Sequence, residues 1–216
     1  MGLPEKFDNR LKDNLGLRAV WLPGTEIGLG DVLQHKDGIF RPIGNLSDFG
    51  VSFRSKKLGG KVSLKFQARG VSSTVLQAGV AIDTTLMDPN ANAELKVEFK
   101  SKNTYFIRTP QLAGIGISDL MKIGSAIKGR PGWRHKDYFI AWRVYRATEF
   151  VFLGSQSKNM TVRFRGLGSA ILEFLTVGAS ANVAKVTASS VTVEIIGEGG
   201  PVAMNIVRIK KDGQIY

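Results

Sequence analysis

At 216 residues, 43% hydrophobic and 22% charged, the chain has the composition of a folded protein with one well-buried core, which excludes global disorder. Its 30 Lys and Arg against 18 Asp and Glu give a formal charge of +12, a field that favours nucleic acid, anionic lipid or an acidic protein. The absence of cysteine removes disulfides, thiolate nucleophiles and cysteine metal sites.

The first residues show no apolar core after their charges, so no signal peptide is expected, and Lys6 stands where a myristoylation motif needs Ser or Thr. No window approaches the ~20 apolar residues of a membrane-spanning helix. Any entry into a membrane must therefore use strands or an interfacial element.

Residues 4–15 predict a short amphipathic helix opened by Pro4, with Phe7, Leu11 and Leu15 on one face and Gly16 at its end. Lys6, Arg10 and Lys12, beside Asp8 and Asp13, lie on its other face, a solvated surface or a set of lipid-headgroup contacts. A strand with Trp21 runs to Pro23-Gly24. Gly28 and Gly30 lack the third glycine of a dinucleotide fingerprint, and Asp37-Gly38 predicts a hairpin turn. The basic connection from Arg54, with Lys56, Lys57 and Lys61, leads into a strand in which Val62, Leu64, Phe66 and Ala68 alternate with polar residues.

Residues 70–87 read two ways. Val71, Val75, Ile82 and Leu86 fall near one helical face, whereas Leu76, Ala78, Val80 and Ile82 line one face of a strand. Asp88-Pro89-Asn90 closes the segment, and Leu95, Val97 and Phe99 alternate with charges in the next strand. Tyr105–Ile107 is a strand ended by Pro110, 117–127 a helix with Ser118 as its cap, and 137–153 a long aromatic strand. Met160, Val162 and Phe164 alternate with Thr161, Arg163 and Arg165. Residues 166–186 repeat the ambiguity: Leu167, Ile171 and Leu175 suit a helix, while Leu175, Val177, Ala179, Ala181 and Val183 suit one strand face. A strand from 191 to 196, a turn at 197–201 and a last strand to Ile209 complete the chain.

No motif specifies catalysis: His35 and His135 are isolated, and no carboxylate spacing marks acid–base work, so neither an enzyme nor a cofactor is expected. The basic surface leaves three classes open. Arg134, Lys136, Tyr138, Trp142, Arg143, Tyr145 and Arg146 are the nearest approach to a nucleic-acid surface, the mark of a soluble β-rich binding module for nucleic acid or an acidic protein. A structural assembly protein would use the inserts as intersubunit hairpins. In the membrane class, Lys56, Lys57 and Lys61 before the first insert and Arg163 and Arg165 before the second would meet anionic headgroups. Leu76, Ala78, Val80 and Ile82, with Leu175, Val177, Ala179, Ala181 and Val183, would face lipid in a closed barrel built from many copies.

The N-terminal helix, the strand ending at Leu22-Pro23, the segment from Gly30-Asp31-Val32-Leu33 through Gly38 to Ile43-Gly44-Asn45-Leu46, the two separated inserts, and Asp137-Tyr138-Phe139-Ile140 leading to Arg146-Ala147-Thr148 together resemble the pore-forming domain of gasdermins, especially bacterial ones. The resemblance implies an α+β fold: a twisted, mainly antiparallel β-sheet with a short N-terminal helix and peripheral helices. It implies a single domain over 1–216 with hairpin-forming inserts at about 62–100 and 160–196. It further implies a cytoplasmic inactive monomer, activated by a protease or by release from a separate inhibitory protein. The active form would be a homo-oligomer that permeabilises the cell inner membrane, causes cell death and serves antiviral defence. Bacterial members usually carry a lipidated N-terminal cysteine and an inhibitory C-terminal tail. Neither is found in these 216 residues, so inhibition is expected from a removed tail or from a separate protein.

Overall fold

The computed structural model describes residues 1–60, 62–177, 183–186 and 192–216. Helix α1, Leu3–Leu15, buries Leu3, Phe7 and Leu11 at a spacing of four and ends at Gly16, whose φ of 65° suits glycine. Leu15, expected on the apolar face, is exposed, and Leu3 one turn before Phe7 completes that face instead. Asp8, expected on the solvated face, is instead buried: it pairs with Arg18 at 2.6 Å and accepts the Ala19 amide at 2.8 Å, which ties the helix to β1, Arg18–Ala19.

The remaining elements follow in order. They are β2 Asp31–Lys36, β3 Ile39–Asn45, β4 Ser55–Lys57, β5 Val62–Gln67, β6 Val71–Gln77, β7 Val80–Ala81, β8 Asn92–Phe99, β9 Thr104–Ile117, α2 Leu120–Ile127, β10 Tyr138–Ser155, β11 Met160–Leu167, α3 Gly168–Val177, β12 Ala184–Lys185 and β13 Val193–Val207. Every registered strand pair is antiparallel, so the chain is α+β with mainly antiparallel sheets and few helices, as expected.

The chain divides into two compact units, and β9, β10 and β13 contribute residues to both. The first comprises Met1–Lys6, Val62–Leu112 and Ala147–Gly199. It holds a five-stranded sheet in the order β12-β11-β8-β6-β7. One face of that sheet is packed with Val71, Val75, Leu95, Val97, Phe99, Val162 and Phe164, under Ile171 and Phe174 of α3 and beside Phe106, Val151 and Leu153. The second unit comprises Phe7–Lys61, Ala113–Arg146 and Gly200–Tyr216. There the β2–β3 hairpin turns at Asp37-Gly38 as expected, both at positive φ, and β2 pairs β10 with Tyr138 opposite Gln34. Val32, Ile117, Ile123, Ile127, Trp133 and Ile140 form one of its cores.

Two strands run through residues expected to end them. Pro110 lies inside β9, where β5 shifts register between Ser63 and Lys65, so that Leu64 stands against both Thr109 and Pro110. Proline offers no amide to a ladder, and the bulge absorbs that loss. At the bulge the Leu64 amide donates to the Thr109 hydroxyl oxygen at 2.9 Å. Likewise β13 continues through 197–201, with Gly197 at φ 73° taking up the irregularity. In α2 the N-cap is Asp119 rather than Ser118, and the helix begins three residues later than expected.

Thr109 is fully buried. Thr109→Val keeps its shape but strands the Leu64 amide, an expected loss of about 1–3 kcal/mol in urea unfolding, whereas Thr109→Ser should recover most of it.

Candidate functional site

The first ambiguous segment folds as a hairpin. β6 pairs with β8 from Val71 opposite Phe99 to Gln77 opposite Ala93, then reverses through Ala78 and Gly79, at φ 51° and 80°, into β7. Two consecutive positive φ values make the tight turn whose twist suits a hairpin, and glycine at the second supplies it without strain. The turn divides the predicted apolar row. Val80 pairs with Gln77, and the Ile82 amide donates to Val75, so Val80 and Ile82 lie on the side of Val75, with Ile82 against the core. Leu76 pairs with Glu94 on the opposite side, and Ala78 sits in the turn itself. The four would share a face only in a strand running straight on past Gln77. Val80 is 68% exposed.

The second ambiguous segment takes its helical reading only over Gly168–Val177: Leu167, expected on the helical face, ends β11 exposed, and Ala184–Lys185 is a short strand. β11 passes into α3 without a loop, and Ala170, Ile171 and Phe174 are buried while Leu175 is half-buried. The Phe164 and Phe174 rings are 4.7 Å apart. Val177 ends the helix, Val183 packs at the edge of the same core, and Ala179 and Ala181 lie outside the described residues.

One turn joins the two segments. Gln77 donates to the Asp88 carbonyl at 2.9 Å and accepts the Asp88 amide at 3.1 Å. On the other side of that turn, the Gly168 amide donates to Ala91 at 2.8 Å and the Ser169 amide to Pro89 at 2.9 Å. These are the first amides of α3, which have no partner within the helix, so backbone carbonyls of the turn perform the work usually given to a capping side chain. A β-carbon at residue 168 would collide with the Asp88 carbonyl oxygen, so the approach requires glycine.

The uncovered face of the five-stranded sheet is polar. Arg163 and Arg165 converge on Glu94, at 3.1 Å and 2.8 Å, and Lys96 pairs with Glu98 at 2.8 Å. The hydrogen bond from Lys96 holds the Glu98 carboxyl below its ordinary pKa of 4.5, reinforced by the charges of Lys96, Lys100 and Arg163. Beside these pairs lies an open cleft of about 690 Å³ lined by Leu76, Gly79, Glu94, Arg163 and Arg165. Sequence reasoning singled out the two arginines but missed Glu94, Lys96 and Glu98. The signal was the same alternation, since residues 94–99 and 161–165 put their charges on one strand face.

In the first unit, Lys6 is half-buried and donates to the Lys102 carbonyl at 3.2 Å. In the second, Arg10 and Lys12 lie on the outer side of α1, and Lys56 and Lys57 are exposed on β4. Lys61 lies outside the described residues. Of the aromatics considered for nucleic acid, Tyr138 and Trp142 are half-buried against the core, and Tyr138 meets the Trp133 ring edge-on at 5.4 Å. They do not form an exposed stacking ladder. Among the described residues, no helix is long and apolar enough to cross a membrane, which leaves strands untouched.

Because the Glu98 pKa is lowered in the folded state, its contribution is present above pH 4.5 and is lost as pH falls through the depressed value. Glu98→Gln should therefore be less stable than wild type at neutral pH, by under about 1 kcal/mol for a partly exposed pair. The gap in thermal midpoint should close on acidification below that range. Gly168→Ala should destabilise by about 1–3 kcal/mol, against the usual preference of helices for alanine. Hydrogen exchange should then accelerate jointly in α3 and in the Asp88 turn.

No family model and no curated protein matches this chain. Among solved structures, a bacterial gasdermin from Bradyrhizobium tropiciagri is a neighbour: the match covers 97% of this chain and 89% of that one, at 12% identity and a TM-score of 0.41. The neighbour comes from the family that the residues resemble, and a likeness this loose leaves the functional reading to the residues themselves.

Proposed function

We propose that the protein permeabilises membranes by inserting strands from its two ambiguous segments, many copies closing one barrel. The observation that carries this reading is the division of three adjacent strands, β6, β8 and β11, into an apolar and a polar face. The first carries Val71, Val75, Leu95, Val97, Phe99, Val162 and Phe164; the second carries Glu94, Lys96, Glu98, Arg163 and Arg165. A membrane-spanning strand needs that alternation over about 9–11 residues. β8 and β11 have 8 residues each, and β11 would lengthen directly into α3 if the helix extended.

In the folded chain the apolar face is already out of water. Insertion exchanges a protein neighbour for lipid, and the ~1.5–3 kcal/mol associated with burying each large apolar side chain is conserved rather than lost. On the polar face the pairs about Glu94 would line the lumen. Val80 and Ile82 would extend the lipid face beyond Val75, and Leu175, Val177, Ala179, Ala181 and Val183 would supply that of the second insert. In a β6 running straight on past Gln77, Leu76, Ala78, Val80 and Ile82 would instead form one lipid-facing row on the side opposite Val75. Lys6, Arg10, Lys12, Lys56, Lys57 and Lys61 would attract anionic headgroups, each worth roughly 1 kcal/mol near such a surface. Before activation the protein would be cytoplasmic, held by a protease-sensitive or separate inhibitory partner.

Calcein release from vesicles containing anionic lipid tests the reading after limited proteolysis or treatment with a candidate activator. Dye retained at every protein concentration and after every treatment would refute it. The exposure of Val80 makes a sharper variant possible, because Val80→Asp should change folding stability by no more than about 0.5 kcal/mol. It should nevertheless lower the rate of dye release at least fivefold while vesicle co-sedimentation persists.

A further inference from the structure

A separate site lies in the second unit, where a cleft of about 300 Å³ is lined by Gln34, His35, Lys36, Lys136, Asp137, Phe139 and Arg208. The β2–β10 register sets Gln34 against Tyr138, and the residues just beyond that pair, Lys36 at the end of β2 and Lys136 ahead of β10, both border the cleft. Arg208 approaches from β13's continuation, its backbone held by reciprocal hydrogen bonds with Tyr216 and its guanidinium carbon 4.2 Å from the centre of the Phe139 ring. His135 Nδ1 lies 2.9 Å from the Ile209 carbonyl, which fixes the segment before β10 to the same strand end.

Three cations thus meet one carboxylate, Asp137, in a concave site. Among the described residues, none of Lys36, Lys136 and Arg208 forms an ion pair. The Arg208 Nε is buried without an acceptor. Such a group is normally hydrogen-bonded, and an arginine with no carboxylate partner beside two unpaired lysines leaves the cleft short of negative charge. The excess of positive charge suits a dianion, and the combination of one planar guanidinium with two mobile ammonium groups suits tetrahedral phosphate oxygens.

We propose that this cleft binds a phosphomonoester dianion through Lys36, Lys136 and Arg208. The phosphate belongs to a soluble metabolite or to a lipid headgroup bearing a terminal phosphate. The site does not depend on strand insertion, and binding can be read without any measurement of leakage.

Inorganic phosphate is titrated into the full chain at constant ionic strength, with chloride as the control, and followed by NMR. Shifts are expected at the His35 ring and at the amides of 34–36, 136–139 and 208. Lys36→Ala with Lys136→Ala, both exposed positions, should weaken binding at least about tenfold with an unchanged thermal midpoint in phosphate-free buffer. Arg208→Lys, which keeps the charge but loses the fork, should weaken it as well. Vesicles containing phosphatidic acid distinguish the sources: competition with inorganic phosphate assigns a lipid headgroup, and its absence assigns a soluble ligand. Shifts no larger than those from chloride, or unchanged in the double-alanine variant, would overturn the proposal.

Discussion

The hydrogen bonds around the Asp88 turn are the constraint on which the first unit depends, because they connect two segments that are distant in sequence. Gln77, at the end of β6, holds the turn from one side, and the opening amides of α3 hold it from the other. If the turn moves, Gln77 loses both its partners and α3 loses the carbonyls that satisfy its N-terminus. The inserts are therefore coupled through a shared set of backbone groups, which is a physical account of how two separated stretches can respond to one event.

The same arrangement separates what must change from what need not. β6, β8 and β11 already have the two-faced alternation of strands that could sit between lipid and water, and their polar face already satisfies its charges internally. That part of the sheet can keep its ladder. For the proposed insertion, what covers its apolar face, namely α3 and the neighbouring strands of the unit, would have to leave. The coupled turn lies where the cover meets the sheet.

Much of this was legible from residues because each choice was dominated by one local rule. Asp37-Gly38 demands a hairpin, the alternation at 94–99 demands a half-buried strand, and the β-branched and aromatic run after Asp137 demands a long one. The failures share a cause as well. Pro110 and the glycines near 197 are strong local stop signals, yet β9 and β13 pass through them: β5 bulges opposite Pro110, and Gly197 takes a positive φ within β13. At 70–87, periodicity alone could not choose between helix and strand. Pairing with β8 decided for strand, and the positive φ at Ala78 and Gly79 reversed the chain, so Leu76 and Val80 lie on opposite sides. The polar cleft beside Lys36 was invisible for a different reason: Lys36, Lys136 and Arg208 come together only through strand register and the path of the chain after β13.

The two inserts stand at different distances from an extended state. The first is already a hairpin, with strand pairing along the whole of β6; the second is a helix of ten residues. A helix of that length is marginal on its own in water, since nucleation is unfavourable and few turns follow to offset it. α3 survives because Ala170, Ile171 and Phe174 are buried and because the Asp88 turn caps it. Its sequence ends in Thr176 and Val177, both β-branched, and it continues β11 without an intervening loop. Release of the turn removes the cap at the end where α3 adjoins a formed strand, so the helix is exposed to conversion from the position at which a strand can grow. In the proposed insertion, coupling between the two segments would thus be asymmetric: the first is already a strand template, and the second would have to change conformation.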